Sequence, residues 1–190
     1  MQNGWKGAVK LRVNADAMTL YAVTDRTWVE DTTLMNQVKE ALEGGITFLQ
    51  LREKHLSKEE FIKEAREMKE LSKEYKVPFV INDNIEVALA VDADGVHIGQ
   101  DDMSVEEARK LLGEDKIIGV SAHNVEEAIK AQKGGADYLG VGAVCATSTK
   151  KDANVVSKEE IKNLSYSRDS SGSDRRDQKR KYQDTRRNGC

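Results

Sequence analysis

The residues best equipped for chemistry fall in four short stretches. Gln50, Arg52 and Lys54 alternate within "ITFLQLREK", and Asn82-Asp83 closes "PFVIND". Asp101-Asp102 follows "DGVHIGQ", and Thr147-Ser148-Thr149-Lys150 lies in "GVGAVCATSTKKD". An amide, a guanidinium fork and an ammonium at alternate positions suit a multiply charged oxyanion. Arginine pairs its donors on phosphate oxygens, and lysine adds a point charge. The same run also reads as a charged strand end meeting water. Asp83 and Asp102 beside such cations suit Mg²⁺, which takes one or two carboxylates plus waters and phosphate oxygens. They read equally as helix N-caps, where acids are favoured. The hydroxyls and Lys150 of the fourth stretch suit phosphate, or an ordinary polar loop. Three more residues read more plainly. His123 follows Ser121 by two and could carry a proton there, but fits a solvent-facing loop better. His97 fits a packed core, and Cys145 a small hydrophobe with no base assigned to it.

Those residues need a frame, and the chain alternates strand and helix signals to supply one. "TLYAVTD" reads as a strand, then Thr32 to Glu43 as a helix stopped by Gly44-Gly45. "ITFLQLRE" is the second strand. Ser57 and Glu60 then have capping-box spacing, and Phe61, Ile62, Ala65, Met68, Leu71 and Tyr75 follow at helical spacing. "PFVIND", "DGVHIG", "IIGVSA" and "ADYLGVGAV" read as four further strands. The helices after them are "IEVALAV", Ser104 to Leu112 with Ser104 and Glu107 as a second capping box, Asn124 to Lys133, and Ser157 to Leu164. Six strand–helix units in order predict a parallel sheet covered by helices.

An open doubly wound sheet and a barrel both fit that order. No glycine fingerprint follows the first strand. Asp25, Arg52, Asn82, Gln100, Ser121 and Thr147 instead stand at the C-terminal ends of six different strands. A site spread over many strand ends is the habit of a barrel, whereas open sheets gather ligands at one switch point. The expected fold is therefore α/β, a (β/α)8 TIM barrel of which this chain carries six units. Side chains alternate along a strand. With Leu49 and Leu51 toward the helices, Phe48, Gln50 and Arg52 face the interior, and Lys54 lies just beyond the mouth.

Composition narrows the classes. Of 190 residues, 38% are hydrophobic and 33% charged, and the net charge of −3 argues against a nucleic-acid binder. No apolar run reaches transmembrane length and no secretory signal is recognised, so no membrane partner is expected. Two cysteines, Cys145 and Cys190, do not make a disulfide scaffold, which points to the cytoplasm.

Together "LYAVTD", "QLREK", "INDN", "ADGVHIGQDD", "GVSAH" and "ATSTK" resemble, in order and spacing from about Thr19 to Leu164, the thiamine-phosphate synthase family. The resemblance implies a (β/α)8 barrel that joins hydroxymethylpyrimidine diphosphate to thiazole phosphate. It implies that Gln50, Leu51, Arg52, Glu53 and Lys54 hold the pyrimidine substrate's diphosphate, with Asn82 also on that substrate. It puts Ser121 by the pyrimidine, Lys150 on the diphosphate, Thr147 and Thr149 on the thiazole phosphate, and Mg²⁺ on Asp83 and Asp102. The implied mechanism is dissociative, with Arg52, Lys54 and Lys150 stabilising the departing diphosphate and no side-chain nucleophile. The implied partners are these small molecules, and an assembly of identical chains is compatible with them. A thiazole tautomerase-like paralogue would need neither the "QLREK" clamp nor the two aspartates. A relic that only binds phosphate ligands is the other alternative. "VCATSTK" departs modestly, with Cys145-Ala146 where the family often has Phe-Pro.

The larger departure begins after about Leu164. Residues 1–164 read as the barrel domain and residues 165–190 as a polar, disordered tail without Ala, Val, Ile, Leu, Met or Phe. Its eight Lys or Arg against four Asp give it +4, so the remainder carries −3 minus +4, or −7. The family's last strands are expected there. Written as AGC TAT TCC CGT GAT AGC AGT GGG and read from the second base, "SYSRDSSG" becomes Ala-Ile-Pro-Val-Ile-Ala-Val-Gly, such a strand. "TRRNGC" shifted alike begins Leu-Glu-Glu-Thr-Gly. The expectation is a frameshifted tail and weak or absent synthase activity. Codons at position 165 incompatible with the shifted reading would remove it.

Overall fold

Among the described residues, five α-helices begin at side chains that close their open N–H groups. The computed structural model describes residues 12–29 and 31–142. Ser57 accepts the Glu60 N–H while the Glu60 carboxylate returns to Ser57 N, and Ser104 with Glu107 repeats the arrangement. Each box closes donors that helix geometry leaves without partners. Thr33, Asn84 and Asn124 cap the other three helices. Neither Asp83 nor Asp102 is therefore a cap, because Asn84 and Ser104 hold those positions.

The elements run β1 (Tyr21–Val23), α1 (Leu34–Glu43), β2 (Phe48–Leu51), α2 (Lys58–Glu74), β3 (Phe79–Asn82) and α3 (Ile85–Ala90). They continue with β4 (Gly95–Ile98), α4 (Val105–Leu112), β5 (Ile117–Ala122), α5 (Val125–Gly134) and β6 (Tyr138–Val141). Single 3₁₀ turns at Asp16–Met18 and Arg26–Trp28 flank β1. The six strands are parallel and pair in chain order. The predicted helix Ser157–Leu164, Thr147, Thr149, Lys150, Cys145 and the segment from 165 onward lie outside the described residues. Among the described residues no helix is long and apolar enough to cross a membrane.

Two apolar clusters lie on opposite faces of the sheet. Leu49, Leu51, Ile81, Val96, Ile98 and Ile118 pack against helix residues such as Phe61, Met68, Val87 and Leu112. Phe48, Val80 and Ile117 form the other cluster with Tyr21 and Tyr138, and Val13, Ala17 and Met18 close it from the N-terminal segment. The alternation expected of β2 is met. In a flat sheet four strands would separate β1 from β6, yet the Tyr21 and Tyr138 hydroxyls lie 2.8 Å apart. The sheet is therefore curled into a barrel wall, not spread as an open sheet.

A repeated clasp ties the strands in pairs. Just before β2, Thr47 donates its N–H to the Leu20 carbonyl and its hydroxyl accepts the Leu20 N–H. Asp94, just before β4, does both to Phe79, and Asp137, just before β6, does both to Ile118. Each even strand thus secures the start of the odd strand preceding it. Asp137 carries more, with Arg12 and Arg109 each 2.8 Å from its carboxylate. Tyr75, predicted on the buried face of α2, ends that helix exposed, and Ser72 is buried instead. Lys76, Asp83 and Asp92 turn the chain with positive φ, a conformation Asp tolerates better than most.

Candidate active site

The C-terminal strand ends open into a cavity of about 230 Å³ lined by Val23, Asp25, Gln50, Arg52, Asn82, His97 and Ser121. These seven residues come from β1 to β5. Each odd-even step of a strand brings an inward residue to this rim, which is why residues distant in sequence share it. Gln50 is 4% exposed and His97 9%, so the floor is polar yet buried at the level of the strands.

The cations gather at one side. The Arg52 main-chain N–H donates to Thr24 Oγ1 at 2.9 Å, holding β2 to the end of β1. Its guanidinium lies 3.6 Å from Asp25. Hydrogen bonds from Thr27, aided by the charges of Arg52 and Lys54, hold the Asp25 carboxyl below its usual range. Lys54 is exposed beyond the rim, and its charge still reaches Asp25. Glu53 turns away from the cavity. Its side chain is 2% exposed, and Arg26 Nε sits 2.8 and 2.9 Å from its two oxygens. Arg26 also binds Glu64 at 2.6 Å. Burial raises the Glu64 pKa, with Arg26 opposing. The Leu51 side chain is buried on the helix face, so at the site it has only its main chain to offer.

Asp83 and Asp102 follow neighbouring strands. Asp83 holds φ +61 directly after β3, and its N–H donates to the His97 carbonyl at 2.8 Å. Its carboxylate accepts from Asn82 Nδ2 at 2.6 Å. The Asp102 carboxylate accepts the Gly99 N–H at 2.6 Å, so the chain after β4 folds back toward the rim. Both carboxylates are exposed side chains. With the cap role gone, two acids on adjacent strand ends match the modest donor set that Mg²⁺ asks of a protein. Among the described residues no group of three or more His, Cys, Asp or Glu is placed to hold a metal. Waters and phosphate oxygens would have to complete any Mg²⁺ shell.

Beneath the rim runs a string of hydrogen bonds that the sequence reading missed. Gln50 Nε2 donates to the Tyr21 hydroxyl at 2.7 Å, and that hydroxyl lies 2.8 Å from Tyr138 Oη. Tyr138 Oη is 3.0 Å from His97 Nδ1, and His97 Nε2 is 3.0 Å from Ser121 Oγ. Burial pushes the Tyr21 hydroxyl up to about 12, against the lowering effect of Tyr138 and Gln50, and raises Tyr138 too. Both phenols are therefore neutral donors near pH 7. His97 is buried as expected, but it lines the site. Gly140 held the clue: a Cβ there would meet His97 Cε1 at 3.1 Å. His123, by contrast, is outside the lining. Its ring and N–H bind Glu127 at 3.0 and 2.7 Å. Burial raises the Glu127 pKa, but these bonds outweigh it and leave it below the usual range. Gln100 donates to the Ser121 carbonyl from an exposed position.

The chain is similar to known proteins over much of its length. The family model for thiamine monophosphate synthase matches residues 20–168. The thiamine-phosphate synthase of Clostridium acetobutylicum is 54% identical over 148 residues, covering 78% of this chain and 70% of that protein. That of Clostridium novyi is 53% identical over 133 residues, covering 70% and 65%. The solved structure of a thiamine phosphate pyrophosphorylase from Pyrococcus furiosus aligns with TM-score 0.71 and 40% identity, covering 80% of this chain and 71% of that one. The chain thus spans 65 to 71% of the length of these relatives.

Proposed function

The chain belongs to the thiamine monophosphate synthase family, and from that membership we propose a transferase that joins hydroxymethylpyrimidine, delivered as its diphosphate, to a thiazole phosphate. The carbon–oxygen bond of the pyrimidine methylene breaks, and its electron pair leaves with the diphosphate. The thiazole nitrogen gives its lone pair to the resulting pyrimidinylmethyl cation, forming a carbon–nitrogen bond. The hard event is separating a polyanion from a carbocation. Fixed positive charge at the polyanion lowers that barrier most.

The observation that carries the reading is the convergence of Gln50, Arg52, Asn82 and Ser121 from β2, β3 and β5 on one cavity. Arg52 and Lys54 would meet the diphosphate. Asn82, Gln50 and Ser121 would orient the pyrimidine, and orientation of two bound partners supplies much of the remaining acceleration. Asp83 and Asp102 would hold Mg²⁺, which when bound neutralises charge on the diphosphate oxygens. Thr147 and Thr149 would bind the thiazole phosphate, and Lys150 the diphosphate. Glu53 we reassign: its carboxylate anchors Arg26, and only its main chain is left for substrate. Small anionic substrates fit a cytoplasmic setting.

A coupled assay of thiamine phosphate formation, run with and without Mg²⁺, tests the proposal. Any product, expected to be scant from a chain with the tail read above, should form only with both substrates and the metal, and Arg52→Gln should slow it at least tenfold. Absence of both turnover and pyrimidine-diphosphate binding in the intact chain would overturn it.

A further inference from the structure

The string beneath the rim has a direction. Gln50 Nε2 can only donate, so the Tyr21 oxygen accepts from it. Tyr21 then places its own hydrogen on Tyr138, 2.8 Å away. With its oxygen so engaged, Tyr138 gives its hydrogen to His97 Nδ1 at 3.0 Å. An imidazole that accepts at Nδ1 is neutral and carries its proton on Nε2, which donates to Ser121 Oγ at 3.0 Å. Ser121 accepts there and keeps its own O–H for a further acceptor. Ser121 lines the cavity. Any other order leaves a partly buried phenol hydrogen without an acceptor among the described residues or sets two hydrogens against each other, which costs up to about 1–3 kcal/mol.

The packing holds this geometry. Tyr138 lies over Gly119, where a Cβ would meet its ring at 2.0 Å, so only glycine leaves room for the ring. Its ring contacts Tyr21, Phe48 and His97 at centroid distances of 5.9, 5.7 and 5.5 Å. Tyr21 stacks on Phe48 at 4.8 Å. His97 is thus gripped at both nitrogens while Gly140 closes against its edge.

We propose that Tyr138, oriented through Tyr21 and Gln50, is a positioning residue that fixes His97 as the neutral Nε2–H tautomer and so commits the Ser121 hydroxyl hydrogen to a ligand acceptor in the cavity. The role deepens the function proposed above by assigning the polarity of its pyrimidine end: Ser121 offers a donor and demands an acceptor atom. The tautomer itself is a property of the unliganded chain, so it stands or falls separately from that function.

Nitrogen-15 NMR of the histidine-labelled, unliganded full chain reads it directly. The expected His97 spectrum has an unprotonated Nδ1 and a protonated Nε2. In Tyr138→Phe the His97 signals should move toward a mixture of tautomers, with faster solvent exchange of the Nε2 proton. Tyr21→Phe, which leaves the Tyr138–His97 contact in place, should cause a smaller shift of the same sign. A wild-type Nδ1–H tautomer, or a charged ring at neutral pH, overturns the inference without any variant. Unchanged His97 signals in a folded Tyr138→Phe protein overturn it as well. With the pyrimidine diphosphate as probe, Tyr138→Phe should raise KM about tenfold more than it lowers kcat, and a kcat effect alone would contradict the positioning role.

Discussion

Replacing Gly119 by alanine should destabilise the fold even though its strand position favours the change. A glycine inside a strand costs about 0.5–1 kcal/mol relative to alanine through chain entropy. The new Cβ, however, would lie 2.0 Å from Tyr138 Cζ, 2.3 Å from its hydroxyl and 2.5 Å from Cε1. The ring must move, because the backbone is fixed by pairing with β4 and β6. Overpacking of this kind costs about 1–3 kcal/mol. Displacing the ring also strains its two hydrogen bonds, to Tyr21 and His97, each worth about 1 kcal/mol. Subtracting the entropic gain leaves a loss of about 2–4 kcal/mol. Urea unfolding should show a midpoint about 1–2 M lower with unchanged slope. A double-mutant cycle isolates the cause. In a Tyr138→Ala background the clash is gone, and Gly119→Ala should be neutral or stabilising by up to about 1 kcal/mol. A single variant within about 0.5 kcal/mol of wild type, or equal costs in both backgrounds, would refute the reasoning.

Alkaline stability should report Tyr21. Its hydroxyl titrates near 12 in the fold, above the ordinary value of 10, so the folded state keeps a proton that the unfolded chain loses. That contribution is full below pH 10 and should fade between pH 10 and 12 by about 2–3 kcal/mol, a decline that denaturant titration should find shallower in Tyr21→Phe. Asp137→Ala takes one partner from Arg12 and from Arg109 and leaves the Ile118 N–H of the clasp without its acceptor; Arg12 keeps Glu114 and Arg109 keeps backbone carbonyls, so it should cost about 2–3 kcal/mol. Lys39→Ala, which breaks an exposed 4.0 Å pair with Glu43, should change unfolding free energy by less than about 0.5 kcal/mol. Glu53→Gln should lower thermal stability through Arg26 while changing affinity for inorganic diphosphate less than about threefold. A large affinity loss in a stable variant would return the Glu53 carboxylate to the site.

The fold was legible because its signals are local. Capping boxes at Ser57 and Ser104, the Asn124 cap and the glycine stop at Gly44-Gly45 mark helix ends within a few residues. The alternation in "ITFLQLREK" marked which residues face the interior, and Gln50 and Arg52 are there. What escaped notice depends on register between strands. Tyr21 and Tyr138 look like ordinary strand aromatics until β1 and β6 curl together. His97 reads as core because it is core, and only its contacts with Tyr138 and Ser121 give it a place at the site. The fate of Glu53 turned on Arg26, 27 residues earlier and in a different loop. Tyr75 fell off the helical face because α2 ends just before it.

The central claim is that cationic side chains and two acids, delivered by separate parallel strands, form one diphosphate site. Isothermal titration of the pyrimidine diphosphate into the intact chain tests it most directly. Losing a charged hydrogen bond costs about 1.5–3 kcal/mol, so Arg52→Gln should weaken binding about 10- to 100-fold. Asp83→Asn, or removal of Mg²⁺, should weaken it as well. Full affinity in the Arg52 variant and in magnesium-free buffer would contradict the account.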